Sequence, residues 1–153
     1  MTDYIVDSNI VAKWLLPEPH SDRARALMGP AYKLRAPDLL MPELASTLWK
    51  RASRGELTVD ESHELLRKFL RDHIEVTVRL LPSRLVAAQA LRIAASERHS
   101  IYDCLYLALA VQARCRLITA DDRFMKSIQS KTLKAHVVSL NDPELGLEMR
   151  IEN

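Results

Sequence analysis

The stretch HSIYDCLYLALAVQARC, His99 to Cys115, carries one carboxylate, Asp103, directly before the apolar run Cys104 to Val111. Residues 100–114 fit a helix that is apolar on nearly every side, and such a helix is buried in its protein. The short apolar run Leu117-Ile118 follows it directly and is typical of a strand. A buried helix that leads into a buried strand indicates an α/β protein in which helices cover a sheet.

Strand and helix patterns alternate along the rest of the chain. Short apolar runs typical of strands lie at 4–6, 33–36, 74–78, 117–118 and 137–138. Helical patterns lie at 10–16, 20–28, 42–54, 58–73, 83–98, 100–114 and 123–128. This alternation predicts a central, mostly parallel sheet of about four to five strands flanked by helices. We expect a single domain over 1–153, with a polar tail over 141–153.

Composition excludes several classes of protein. The 153 residues are 48% hydrophobic and 27% charged, as in an ordinary folded domain, and the net charge is only +2. Any affinity for nucleic acid must therefore come from a local patch of the basic residues. With three glycines the chain has no glycine-rich phosphate loop. We expect a cytoplasmic protein, because the longest apolar run is too short to cross a bilayer and the first residues do not form a signal peptide.

The two cysteines, Cys104 and Cys115, are predicted to lie on one helix. Their rise along that helix would separate them by about 16 Å, beyond the ~7 Å limit between the Cα atoms of a disulfide. We therefore expect both thiols to be free, as in a reducing compartment.

Acidic residues stand where predicted strands end or predicted helices begin: Asp7, Glu43, Asp103 and the pair Asp121-Asp122. In an open parallel sheet these positions meet at one edge, where ligands bind. Each acid has an alternative explanation in helix capping. Asp7 is a possible N-cap, Glu43 favours the helix dipole, and Ser100–Asp103 and Thr119–Asp122 both match the capping-box pattern.

The acids taken together indicate a cation site. Two carboxylates ~6 Å apart repel by about 3 kcal/mol at an effective dielectric of 20, so six such pairs exceed a typical domain stability of ~5 to 15 kcal/mol. A cluster of this kind must take up protons or bind cations. Oxygen ligands favour Mg²⁺ or Mn²⁺ over zinc, and such ions can activate water against a phosphodiester.

Four segments resemble the acidic motifs of a known family: YIVDSNIVAKWL (4–15), PELASTLWKRA (42–52), SIYDCLYLALA (100–110) and LITADDRF (117–124). They are similar to the motifs of PIN-domain ribonucleases, particularly the VapC-type toxins of bacterial toxin-antitoxin pairs. The resemblance implies a three-layer α/β fold, dependence on Mg²⁺ or Mn²⁺, and cleavage of RNA. It also implies a homodimer that a cognate antitoxin inhibits, with no membrane partner.

The resemblance assigns the catalytic and metal-binding roles to Asp7, Glu43, Asp103 and Asp121. Supporting positions around these ligands fall to Ser8, Asn9, Thr119 and Asp122. Ser8 and Asn9 stand where the family often has a Thr-Ser pair, so polarity is kept while the hydroxyl arrangement differs. Asp122 either supports the metal or favours the helix that follows, and we prefer the second role.

Two other functions stay open on the sequence alone. One is a receiver-like signalling module that binds Mg²⁺ and accepts a phosphoryl group on an Asp. The other is a non-catalytic domain of this fold that binds RNA or protein. For a protein partner, the best candidates for an interface are Trp14 and Trp49, whereas the aliphatic residues around them fit an ordinary core.

Overall fold

The computed structural model describes residues 1–147, and within them parallel strands alternate with helices. The strands are β1 (Thr2–Val6), β2 (Tyr32–Pro37), β3 (Val78–Leu81), β4 (Arg116–Thr119) and β5 (Val137–Ser139). The helices are α1 (Ser8–Leu15), α2 (Ser21–Ala26), α3 (Leu40–Ser53), α4 (Val59–Asp72), α5 (Ala87–Glu97), α6 (Ile101–Gln112), α7 (Asp122–Ser127) and α8 (Lys131–Lys134). Two 3-10 helices cover Ser83–Leu85 and Pro143–Leu145. The α/β prediction is confirmed.

The five strands form one sheet in the order β3-β2-β1-β4-β5, and every neighbouring pair is parallel. The chain builds outward from β1 to β3 on one side, then returns to place β4 on the other side of β1. Between β1 and β4 the sheet therefore has a topological switch point, the place where open parallel sheets leave a crevice for ligands. In the register, Val6 pairs with Ile118, so the two strands end together at that crevice.

Helix α6 is the central element of the core, as its sequence predicts. All seven residues from Cys104 to Ala110 are buried, and the helix packs between α5 and the strands β1, β2 and β4. The last turn of α6 leads through a short connection to the start of β4. The first turn of α6 therefore lies at the opposite end, beside the carboxyl end of β4 and the switch point. The apolar character of this one helix thus fixes where Asp103 lies.

Three elements differ from the sequence prediction. The strand predicted at 74–78 is β3 at Val78–Leu81, because the amides of residues 76–78 all bond to the His73 carbonyl in a turn. Within that turn Glu75 has a φ of 61°. Helix α3 begins at Leu40, so Pro42 is its third residue instead of its first, a place where the helix leaves N–H groups unbonded in any case. The short α8, capped by Ser130, was not predicted.

The end of the described chain is less polar than its sequence indicates. Leu145 and Leu147 are buried in the same core cluster as β1 and α6, and Arg23 donates to the Leu140 carbonyl at 3.0 Å. Residues 148–153 of the predicted tail lie outside the described residues. Both cysteines are free, as expected. No helix in 1–147 is long and apolar enough to cross a membrane.

Candidate active site

Asp7 follows β1 directly and is buried at the switch point, with 7% of its surface exposed. It occupies the N-cap position of α1 with extended backbone, yet its side chain makes no capping hydrogen bond. Its Oδ2 instead accepts from Thr119 Oγ1 at 2.9 Å and from Asn9 Nδ2 at 3.4 Å. Ser8 Oγ lies 3.4 Å from Oδ1. Capping therefore does not explain why an acid stands here.

Thr119, fully buried at the end of β4, ties the two strand ends together. Its hydroxyl donates to Asp7 and accepts from the Asp121 backbone N–H at 3.0 Å. Asn9 completes the link, since its Oδ1 accepts from the Ala120 N–H at 3.0 Å and its Nδ2 lies 3.2 Å from Thr119 Oγ1. The corner after β1 and the corner after β4 are thus held by side chains that the sequence assigned to supporting positions.

Glu43 reaches the site from α3 and is held by a residue that the sequence analysis missed. The hydroxyl of Tyr106, on α6, donates to Glu43 Oε1 at 2.7 Å. Tyr106 is only 1% exposed. A signal existed, because a tyrosine inside a buried helix needs a hydrogen-bond partner for its hydroxyl, and Tyr106 lies one turn after Asp103.

Asp103 lies half-buried in the first turn of α6. The predicted capping box around it is wrong: Ser100 Oγ accepts from the Tyr102 N–H at 3.2 Å. In residues 1–147, no hydrogen bond returns from the Asp103 carboxylate to Ser100. The Asp103 carboxylate is therefore not used to cap α6, and it is free to act at the site together with the other acids.

Asp121 and Asp122 have separate surroundings. Asp121 is the N-cap of α7, where its Oδ1 accepts from the Phe124 N–H at 3.0 Å. Asp122 Oδ1 accepts from Ser139 Oγ at 2.7 Å, at the end of β5. The capping box predicted from Thr119 to Asp122 is therefore wrong, since Thr119 bonds to Asp7 and Asp121 caps the helix.

The acids of the site repel one another, and the nearby His99 offsets part of this repulsion at Asp103. Burial raises the pKa of Asp7 to about 7, and the nearby Asp103 and Glu43 carboxylates act in the same direction. Burial, with the neighbouring acids, also raises the pKa of Glu43 and of Asp103, and Asp121 contributes to the shift at Asp103. None of the salt bridges in the described part of the chain involves these four residues.

The carboxylate oxygens of these four acids are chemically suited to a hard divalent cation. In the structure they do not surround a common point as the ligands of a bound ion would. Carboxylate oxygens at a site without zinc-type ligands favour Mg²⁺ or Mn²⁺, and a cation would relieve the repulsion that raises the pKa values. Within 1–147, no three His, Cys, Asp or Glu side chains are placed to hold an ion together as they stand. Mg²⁺ usually keeps several waters and is held by one or two carboxylates, so binding does not require all four acids to contact the ion.

The two tryptophans have different places in the structure. Trp14 is buried, donates from Nε1 to the Ala24 carbonyl at 2.8 Å and packs against Phe69. Its prediction as an interface residue is therefore wrong. Trp49, on α3, is 66% exposed and remains a candidate for that role.

Comparisons with known proteins identify relatives of this chain. The sequence matches the PIN domain family over residues 4–128. It is 31% identical over 117 residues to Ribonuclease VapC3 of Pyrobaculum aerophilum, a match that covers 76% of this chain and 88% of the relative. The matched family region contains all four candidate acids.

Solved structures share the fold at low sequence identity. A crystal structure of a Pyrobaculum aerophilum protein has a TM-score of 0.67 and 18% identity, covering 95% of this chain and 96% of the other. VapBC2 from Rickettsia felis, bound to a DNA fragment from their promoter, has a TM-score of 0.59 and 14% identity, with 90% and 98% covered. FitAcB from Neisseria gonorrhoeae has a TM-score of 0.50 and 17% identity, with 90% and 96% covered.

Proposed function

The chain belongs to the PIN-domain family, and from that membership we propose that it is a metal-dependent endoribonuclease that hydrolyses RNA phosphodiester bonds. The observation that carries the proposal is the buried Asp7, whose pKa is raised to about 7 beside Asp103 and Glu43 at the switch point. Similarity to Ribonuclease VapC3 supports RNA as the substrate. Family membership also argues against the receiver-like alternative.

We propose that Asp7, Glu43, Asp103 and Asp121 hold Mg²⁺ or Mn²⁺, as members of this family generally do. A bound ion activates water and neutralises charge at the scissile phosphate. Thr119 and Asn9 orient Asp7 toward the site through its Oδ2, while Tyr106 fixes one oxygen of Glu43. Such supporting hydrogen bonds set the direction and basicity of the ligands. Asp122, bonded to Ser139, is proposed to position α7 against β5.

We also propose that the chain is the toxin of a toxin-antitoxin pair, acts in the cytoplasm and forms a homodimer. The relatives named VapC3 and VapBC2 support the toxin role. The exposed Trp49 offers one anchor for a protein partner, because exposed tryptophans are frequent centres of binding energy at interfaces.

Asp103→Asn tests the catalytic proposal. The substitution keeps the size of the side chain and removes its charge, so we expect loss of RNA cleavage with retention of the fold. Cleavage of labelled RNA would be measured at saturating Mg²⁺, with circular dichroism as the check on folding. Effects of this kind commonly exceed about a hundredfold for groups that stabilise charge in the transition state.

Asp60→Asn is the matched control, since Asp60 is an exposed acid in the first turn of α4. We expect it to cleave RNA at the parental rate. Parental activity in Asp103→Asn would refute the assignment of Asp103, and absence of RNA cleavage in the parent with Mg²⁺ and with Mn²⁺ would refute the proposed function.

A further inference from the structure

A groove of about 460 Å³ borders the candidate site on its α3 side. Ser8 and Glu43 lie at its inner end, while Ser46, Lys50 and Tyr102 line it further out. Glu43, Ser46 and Lys50 are spaced as i, i+3 and i+7, so they lie along one face of α3. Lys50 stands two turns from Glu43, about 10 Å along the helix axis. The groove therefore leads outward from the acids.

Tyr102 lines this groove and is more exposed than its place at the start of a buried helix predicts. It precedes Asp103 at the start of the most buried helix, yet 56% of its surface is exposed. It forms no aromatic pair within residues 1–147. Packing of the fold does not require this ring. An exposed aromatic face beside a nucleic-acid site is a platform on which an unstacked base can lie.

Lys50 places a positive charge in the groove, two turns of α3 away from Glu43, and no salt bridge in the described chain pairs it. Its side chain is exposed and takes part in none of the salt bridges of 1–147, whereas the adjacent Arg51 is paired with both Glu18 and Glu56. An unpaired ammonium along a groove attracts phosphate. A cation and an aromatic face in one groove match the two repeating parts of a nucleic-acid strand, phosphate and base.

We propose that this groove binds a nucleotide of single-stranded RNA next to the bond that is cleaved, with its base stacked on Tyr102 and a backbone phosphate at Lys50. The inference rests on the proposed function and extends it, because it adds Tyr102 and Lys50 to the residues that contact the substrate. A base within a duplex is already stacked on its neighbours and does not reach the ring.

Binding of RNA without cleavage tests the groove. A fluorescently labelled single-stranded RNA of mixed sequence is titrated with the full chain in EDTA, where metal-dependent cleavage stops, and anisotropy is recorded at several salt concentrations. Tyr102→Ala is expected to weaken binding by about 5- to 100-fold, as loss of one base-aromatic stack does. Tyr102→Phe keeps the ring and is expected to bind within about twofold of the parent.

Salt dependence separates the two contacts. Lys50→Ala is expected to weaken binding and to reduce the slope of log K against log salt by about 0.7, the value for one phosphate contact on a single strand. Tyr102→Ala should leave that slope unchanged, because stacking releases no counterions. Leu91→Ala and Lys68→Ala are the controls, an exposed apolar residue and an exposed lysine that do not line this groove, and both are expected to bind as the parent does.

The outcomes distinguish this inference from the proposed function. Parental binding by Tyr102→Ala, or equal weakening in Tyr102→Phe, overturns the stacking role. Tyr102→Leu keeps an apolar side chain without the ring, and it is expected to lose RNA binding as Tyr102→Ala does. Unchanged melting temperatures of the variants show that the loss of binding is not caused by misfolding. If the parent binds RNA and Tyr102→Ala does not, but the parent never cleaves RNA with a divalent metal, the groove stands and the nuclease proposal fails. If the parent binds no RNA in EDTA, the groove inference fails, whereas the nuclease proposal is decided by cleavage with Mg²⁺ or Mn²⁺.

Discussion

Two opposing influences set the pKa of Asp7. Burial and the neighbouring Asp103 and Glu43 carboxylates disfavour its charged form, whereas the hydrogen bond from Thr119 favours it. The first influence is the larger, so the pKa rises to about 7. An acid in this condition releases its proton to solvent when a cation binds at neutral pH.

The stability of the metal-free protein should therefore depend on pH through Asp7. Between its unfolded pKa of 3.8 and its native pKa of about 7, the native state keeps a proton that the unfolded state releases. The contribution of Asp7 to the free energy of unfolding falls as pH rises through that window, by up to about 1.4 kcal/mol per pH unit, and levels off above it. Asp7→Asn cannot ionise. Urea unfolding in EDTA should show the variant gaining on the parent from pH 5 to pH 7.

Asp60→Asn, at an exposed position, is the control. The difference in free energy of unfolding between this variant and the parent should stay constant from pH 5 to pH 7. A constant difference for Asp7→Asn as well would show that Asp7 has an ordinary pKa in the folded chain. The conclusion that burial raises the pKa of Asp7 would then be wrong.

Helices α3 and α6 meet at the site through a single polar contact, the Tyr106 hydroxyl on Glu43. The apolar sequence of α6 predicts its burial, so the position of Asp103 follows from the sequence. The contact with Glu43 does not, because it depends on how two helices far apart in the chain pack together. The displacement of β3 has a different, local cause: the alternation of Ile74, Val76 and Val78 fits a strand, while the backbone bonds to His73 form a turn.

Tyr106→Phe should weaken the site without unfolding the helix. The ring stays packed, but Glu43 loses the hydrogen bond that opposes the rise in its pKa, so that pKa should rise further. Loss of a residue that supports a metal ligand commonly reduces metal affinity or activity by about 10- to 100-fold. The Mn²⁺ concentration needed for half-maximal RNA cleavage would measure this effect.

Tyr32→Phe provides the matched comparison, since the Tyr32 hydroxyl also donates a hydrogen bond, to the Leu145 carbonyl at 3.3 Å, away from the acids. It should leave the Mn²⁺ requirement unchanged. Equal effects in the two variants would mean that the Tyr106 contact supports packing in general and does not position Glu43.

At the scale of the whole molecule, four acids from four separate segments lie near enough to influence one another's pKa values, because the strand order reverses between β1 and β4. The sequence identified the acids, since each stands at a strand end or a helix start. It did not show which oxygen atoms are already engaged. That Asp121 caps α7 while Asp7 caps nothing is decided by the packing of their neighbours.

Metal binding should stabilise the entire fold, because relief of repulsion among the acids favours only the native state. Mn²⁺ at about 100 times its Kd adds about 2.7 kcal/mol. For a chain of this size that free energy raises the melting temperature by about 5 to 10 °C. Differential scanning fluorimetry with and without Mn²⁺, at constant ionic strength, would measure the shift.

Asp103→Asn should reduce the shift, and K⁺ at the same ionic strength should not produce it. A shift of equal size in Asp103→Asn and in the parent would place the bound Mn²⁺ elsewhere on the protein.

The position of β4 in the chain also has a consequence for synthesis. β1 is made early and pairs on one side with β2, while β4, its other neighbour, is translated late. Until then Asp7 has no Thr119 to hold it, and Asp121 has not yet been added. On the proposed function, a nascent chain therefore lacks a complete active site, and it becomes able to cut RNA only after the segment through Asp121 has been translated and β4 has paired with β1.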